Sequence, residues 1–99
     1  MKIIETVKAY YEFRGLTIPN DTEALLFLTS EVGELADSHV EQMASWVRNN
    51  PDKDRGVEDE VGDVLMMLTA YCIAREIDPV ECMLNKFAKK GFDSTQTPE

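Results

Sequence analysis

The stretch 64-VLMMLTAYCIA-74 contains eleven consecutive residues without a charge. A helix on a protein surface normally carries a polar face, so a helix that is apolar around its whole circumference is typical of one buried on every side. Eleven residues are too few to cross a bilayer, which needs about 20. A small helical subunit has difficulty surrounding one of its own helices. The stretch therefore predicts a homodimer or homotetramer assembled through this helix, although cover by the first helix and the tail stays open.

Three further helices are predicted outward from this stretch. Residues 2–14 place apolar side chains at helical spacing, and Gly15 offers a stop. Asn20 followed by Glu23 is typical of a capped helix start, and nothing interrupts that helix before the 40s. The apolar stretch itself belongs to a helix over about 57–75.

The end of the chain predicts the fourth helix. Asp78 is suited to be its cap and Pro79 its first residue, and Gly91 marks its end. The polar, breaker-rich segment 48–56 predicts a loop. Because no segment alternates with a period of two, the expected class is all-α: a four-helix bundle-type subunit in one domain, residues 1–91, with a tail at 92–99.

Composition limits the classes of partner. A net charge of −9 over 99 residues disfavours nucleic-acid polymers and anionic membranes, which carry the same sign. The two cysteines, Cys72 and Cys82, are scattered and have no histidine nearby, which disfavours zinc. They are expected to be reduced thiols in a cytoplasmic protein without a membrane anchor.

Two acidic pentads of nearly the same sequence, 31-EVGEL-35 and 60-EVGDV-64, lie beside apolar stripes on the second and third helices. Residues three apart share a helix side, so Glu31 and Glu34 project together, as do Glu60 and Asp63. Antiparallel packing would bring four carboxylates to one place, where oxygen ligands select magnesium, or manganese as a substitute. The alternative is that the acids are solvated helix faces. The residues alone leave both interpretations open.

Glycine occupies equivalent places in the two pentads, at Gly33 and Gly62. A glycine inside a helix costs about 0.5–1 kcal/mol relative to alanine. Their repeated use predicts close approach by a neighbouring backbone or a ligand. The residues needed for two other kinds of site are absent from the sequence. His39 has no glutamate three residues before it, as a di-iron bundle requires, and no phosphate-binding glycine loop occurs.

The combined motif, Glu31-x-x-Glu34 followed by Glu60-x-x-Asp63, resembles the MazG-like nucleoside triphosphate pyrophosphohydrolases, relatives of the dimeric dUTPases and phosphoribosyl-ATP pyrophosphatases. The likeness covers about residues 22–91. It implies an enzyme that cleaves a nucleoside triphosphate between the α- and β-phosphates, giving the monophosphate and pyrophosphate, with these four acids holding magnesium. The family usually has a further glutamate where this chain has Ser30.

The same resemblance suggests roles outside the acids. Glu34 is the candidate for activating the nucleophile, and basic residues of the fourth helix are expected to bind phosphate. Among these, Lys86 would also offset charge as pyrophosphate leaves. The further substrate-binding candidates are Lys89, Asn85 and Trp46. Lysines near a helix end also complement its dipole, and Trp46 suits a subunit interface, so these alternatives stay open. A catalytically weak nucleotide-binding or regulatory module and a purely structural helical dimer are the competing functions.

Overall fold

A computed structural model describes residues 2–43 and 56–93. Within these two ranges the chain is entirely helical, which confirms the predicted all-α class. Parts of the predicted loop and tail, 48–55 and 94–99, lie outside the described residues. The helices are α1 Ile3–Arg14, α2 Asp21–Glu41, α3 Val57–Ala74 and α4 Pro79–Lys89.

The helix ends confirm the predicted signals. Gly15 follows α1 in the left-handed region, at φ 65°. At the start of α2, the Glu23 N–H donates to Asn20 Oδ1 at 2.8 Å, and the Asn20 N–H donates to Glu23 Oε1 at 3.1 Å. Asp78 Oδ1 accepts from the N–H groups of Val80 and Glu81, both at 2.9 Å, at the start of α4. These bonds satisfy donors that would otherwise lack partners in the first helical turn.

The most extensive packing joins α2 and α3, which run antiparallel. Asp21 begins α2, and its Oδ2 lies 3.4 Å from Nη1 of Arg75, which follows the last residue of α3. Further along α2, Glu31 lies beside Glu60 from the first turn of α3. Both side chains of the Arg75–Asp21 pair are about half exposed, so the pair contributes little to stability. It does show how α2 and α3 are aligned.

The hydrophobic core lies where α1 crosses the α2–α3 pair. Val7 and Tyr11 of α1 are buried against Ala24 of α2 and Ala70 of α3, both 0% exposed. The small side chains at Ala24 and Ala70 allow close packing at this level. Thr69 is equally buried, and its hydroxyl donates to the Leu65 carbonyl at 2.7 Å, so its polar atom is satisfied.

The apolar third helix is only partly covered by the other described residues of the chain. Thr69, Ala70 and Cys72 are buried. By contrast, Val61, Leu65 and Leu68 follow one another at helical spacing and are 49%, 45% and 37% exposed. Within residues 2–43 and 56–93, this helix is therefore not buried on every side. No helix in the described ranges is long and apolar enough to cross a membrane.

Candidate metal centre

Three carboxylates meet between α2 and α3. Glu31, Glu34 and Glu60 each offer one oxygen, and all three oxygens lie within 4.8 Å of one another. The helical spacing of three places the first two on one side of α2, and the antiparallel register brings the third from α3. Glu31 and Glu60 are partly buried, whereas Glu34 is exposed.

Glu31 is the most constrained member of this cluster. Its Oε2 atom is buried and has no hydrogen-bond partner. Burial raises the pKa of Glu31, and the charges of Glu34 and Asp63, a side-chain hydrogen bond with Glu34 and the charge of Glu60 raise it further. Burial and like charges both penalise the ionised form, so a negative charge on this side chain lacks compensation.

Asp63, the fourth predicted ligand, stands slightly apart. It does not belong to the group of three oxygens within 4.8 Å, although its charge acts on Glu31. The structure therefore brings together three of the four predicted acids and places the fourth in the same neighbourhood.

The donor set suits a hard divalent cation. All three converging ligands are carboxylate oxygens, which magnesium and manganese prefer, and the described residues around them offer no nitrogen or sulfur ligand to the group. The buried, unpartnered Glu31 Oε2 is an atom that a cation would satisfy. On both grounds the residues fit magnesium.

The two glycines do not mark a close approach within the subunit. A Cβ atom built at Gly33 or Gly62 would meet no atom within 4 Å beyond the helix's own backbone and the adjacent residues. The predicted contact with a neighbouring backbone is therefore wrong for the described subunit. The fully buried alanines Ala24 and Ala70 lie instead in the core where the helices pack.

An apolar groove of about 450 Å³ begins one helical turn from the acids. Phe27 precedes Glu31 by four residues, and Met67 follows Asp63 by four, so the groove continues the acidic face along both helices. Tyr10 of α1 also lines this groove. This groove could not be predicted from the sequence, because the spacing of apolar residues in α1 does not indicate which helix α1 crosses.

Ser38 is a second residue near the acids that was not predicted from the sequence. It is 0% exposed, and its Oγ has no hydrogen-bond partner. It follows Glu34 by one helical turn, which places it on the same side of α2 as the acids. The sequence did contain a signal for Ser38, because a small polar residue four positions after Glu34 continues the acidic face of α2.

The predicted phosphate-binding residues of α4 make no ion pair with the acids in the described part of the chain. Asn85, Lys86 and Lys89 are exposed on α4, and neither lysine makes an ion pair in the described part of the chain. Trp46 lies outside the described residues.

Comparison with known proteins returned no match. No family model matches the chain, and neither a curated protein nor a solved structure matches it significantly.

Proposed function

We propose that this protein is a magnesium-dependent nucleoside triphosphate pyrophosphohydrolase that releases the monophosphate and pyrophosphate. The observation that carries the proposal is the convergence of the oxygens of Glu31, Glu34 and Glu60 within 4.8 Å, with Glu31 Oε2 buried and unpartnered. The order and spacing of the acids, which resemble the MazG-like enzymes, supply the reaction class.

The acids are assigned different roles because they differ in exposure. Glu31 and Glu60, both partly buried, would hold the metal with Glu34 and Asp63. When bound, magnesium offsets phosphate charge and lowers the pKa of a coordinated water. Glu34 is exposed, so its carboxylate is accessible to accept a proton from the attacking water. Lys86 offsets negative charge as pyrophosphate departs.

The apolar groove is the proposed place for the nucleoside. It is lined in part by Tyr10, Tyr11 and Phe27, whose rings suit a base, and it begins one turn from the acids. A triphosphate held at the carboxylates would therefore have its base directed along the groove.

The assembly and the location are part of the proposal. The exposed stripe of Val61, Leu65 and Leu68 supports a homo-oligomer formed through α3, either a dimer or a tetramer. Cys72 and Cys82 are free thiols, which supports a cytoplasmic protein.

Product analysis tests the reaction. The protein is incubated with a panel of ribo- and deoxyribonucleoside triphosphates and magnesium, and the products are separated by anion-exchange chromatography. We expect equal amounts of monophosphate and pyrophosphate from at least one substrate. Glu60→Gln should abolish the products, whereas Glu58→Gln, the same change at an exposed acid of the same helix, should retain them. Release of diphosphate and orthophosphate would contradict the proposal.

A nucleotide-binding module without turnover is the second candidate. Ser30 favours it, because serine cannot act as a carboxylate base or as a charged ligand at that place on α2. Equilibrium dialysis with the same nucleotides distinguishes the two, since a binding module retains nucleotide and releases no product.

A further inference from the structure

Glu23 belongs both to the start of α2 and to the apolar groove. Among the described residues that line the groove, it is the only one with a charged side chain. Its Oε1 accepts a hydrogen bond from the Asn20 N–H at 3.1 Å, as a capping box requires. Glutamine satisfies the same capping role as glutamate. The cap therefore accounts for an acceptor oxygen at this place, but not for a negative charge in the groove.

Glu23 precedes the acidic cluster of Glu31, Glu34 and Glu60 along one face of α2. Phe27 follows Glu23 by four residues and Glu31 follows it by eight, so the face turns by about 40° at each step. Eight residues correspond to about 12 Å of helix. This separation is comparable to that between the base-pairing edge of an extended nucleotide and its phosphates. A triphosphate held at the cluster would therefore bring the edge of its base to Glu23.

The aromatic rings of the groove are suited to stack on a base. Arg14 Nη1 donates to the Tyr10 hydroxyl oxygen at 2.9 Å, and its guanidinium carbon lies 5.8 Å from the centroid of that ring. Tyr11 packs edge-to-face on Tyr10, at 6.2 Å between centroids. Phe27 is 51% exposed, so its ring is accessible. Because every base has a face that stacks, these rings supply affinity and leave the choice of base to a polar group.

The charge of Glu23 determines which end of a nucleotide can lie in the groove. A carboxylate repels phosphate, and no lysine or arginine is present among the described lining residues to offset that repulsion. The converging carboxylates that suit magnesium lie at Glu31, Glu34 and Glu60 instead. The phosphates therefore belong at the acidic cluster, and the groove is left with the uncharged base.

The hydrogen-bonding pattern of a carboxylate discriminates among the bases. An ionised carboxylate has two acceptor oxygens and no donor, so it matches two adjacent N–H donors. Guanine presents such a pair with its N1–H and its 2-amino group. Adenine and cytosine place a ring-nitrogen acceptor beside their amino group, and uracil and thymine place carbonyl oxygens on both sides of N3–H. In these four bases one carboxylate oxygen would face a lone pair.

We propose that the groove takes the base of a guanine nucleotide, GTP or dGTP, and that Glu23 determines this specificity by accepting from N1–H and the 2-amino group. The assignment rests on the proposed function for the place of the triphosphate, and it names the substrate class of that site. The bond to Asn20 uses one of the about four lone-pair sites of the carboxylate, so both oxygens can still accept from the base.

Steady-state hydrolysis of GTP, ITP and ATP in magnesium tests the assignment. ITP differs from GTP only by lacking the 2-amino group, which removes one of the two donors. We expect kcat/KM for GTP to exceed that for ITP by about 10–100-fold, the loss typical of a hydrogen bond to a charged group, and to exceed that for ATP by more. Equal values, or a preference for ITP or ATP, would overturn the assignment of guanine.

Glu23→Gln separates recognition of the base from capping of α2. Glutamine keeps an acceptor for the Asn20 N–H, so the Tm should stay close to that of the wild type. Its amide offers one acceptor and one donor, which match N1–H and O6 of guanine and hypoxanthine alike, and also the edge of adenine. We expect the preference for GTP over ITP to disappear and ATP to become a better substrate. An unchanged preference would limit Glu23 to its capping role.

Asn20→Ala is the matched control. It removes the side chain whose Oδ1 accepts from the Glu23 N–H, and it leaves the Glu23 carboxylate in the groove. The Tm should therefore fall, while the preference for GTP over ITP persists. Loss of the preference in both variants would assign it to the folded start of α2 and would overturn the role of the carboxylate.

Isothermal titration calorimetry measures recognition without turnover. The probes are the α,β-methylene analogues of GTP and ATP in magnesium, in which carbon replaces the bridging oxygen of the bond to be cleaved. We expect the GTP analogue to bind at least tenfold more tightly than the ATP analogue. Equal binding of the two analogues, or no binding of either, would overturn the guanine site.

The two measurements separate the two proposals. If the wild type hydrolyses no triphosphate but binds the GTP analogue preferentially, the proposed function fails and the guanine site stands. If the wild type hydrolyses GTP, ITP and ATP equally well, the enzyme assignment stands and the guanine site is wrong.

Discussion

Glu31 and Glu60 are 29 positions apart in the chain, yet their carboxylates present oxygens within 4.8 Å of each other. The antiparallel register of α2 and α3 produces this proximity. Two partly buried acids at this separation repel one another, and Glu34 adds a third like charge. In the absence of a cation, the cluster opposes the packing of the helices that form it.

Magnesium should therefore stabilise the folded protein. A ligand that binds only the folded state at a hundred times its Kd contributes about 2.7 kcal/mol. We expect differential scanning calorimetry to give a higher Tm in millimolar magnesium than in chelator. The double variant Glu31→Gln, Glu60→Gln, which lacks two ligands, should show no such rise. Identical wild-type curves under both conditions would contradict a preformed site.

Glu31 should make the metal-free protein sensitive to pH. Because its pKa is raised in the folded state, the folded protein binds the proton more tightly than the unfolded chain. Its favourable contribution is therefore complete below the ordinary glutamate pKa of 4.5 and is lost as pH rises through the raised value.

Urea unfolding in chelator at several pH values checks this expectation. Glu31→Gln should be more stable than wild type at pH 7, and the difference should shrink as the pH falls. Glu58→Gln, an exposed acid in α3, serves as the control and should show little of this pH-dependent difference. A constant difference between Glu31→Gln and wild type at every pH would exclude the titration of Glu31 as its cause.

The pentad glycines should tolerate alanine in the metal-free protein. A Cβ atom at Gly33 or Gly62 meets nothing within 4 Å outside its own helix, so each substitution should raise the free energy of unfolding by about 0.5–1 kcal/mol. Gly15→Ala should instead destabilise, because Gly15 has a φ of 65°. Denaturant titration measures all three. A loss of stability at Gly33 or Gly62 would show that a second subunit approaches there.

Met67 and Leu68 should respond differently to the same charge. Met67 is partly buried and lines the apolar groove, whereas Leu68 is 37% exposed in the stripe of α3. We expect Met67→Lys to lower the Tm by burying an unpaired charge. Leu68→Lys should keep its helical content and sediment as a smaller species. Circular dichroism and light scattering read both results, and equal behaviour of the two variants would contradict the assigned faces.

Local signals in the sequence were sufficient to predict the helices. Gly15 as a stop, the reciprocal bonds of Asn20 and Glu23, and the Asp78–Pro79 start depend on residues no more than a few positions apart. Short-range hydrogen bonds and backbone preferences determine such features, and they operate before any tertiary contact forms. The acidic pairs within each helix were equally predictable, because a spacing of three fixes a shared side.

What the sequence by itself determined was thus the set of helices and the side of each helix on which its acids lie. Only the tertiary structure decided that Glu31, Glu34 and Glu60 converge while Asp63 stands slightly apart, that Ser38 is buried one turn away, and that no residue of α4 is buried. The physical reason is that helical periodicity fixes the direction of a side chain around its own axis and carries no information about the register or crossing of two helices. That register comes from long-range packing at residues such as Ala24 and Ala70, whose small side chains give no periodic signal of the helix they will meet.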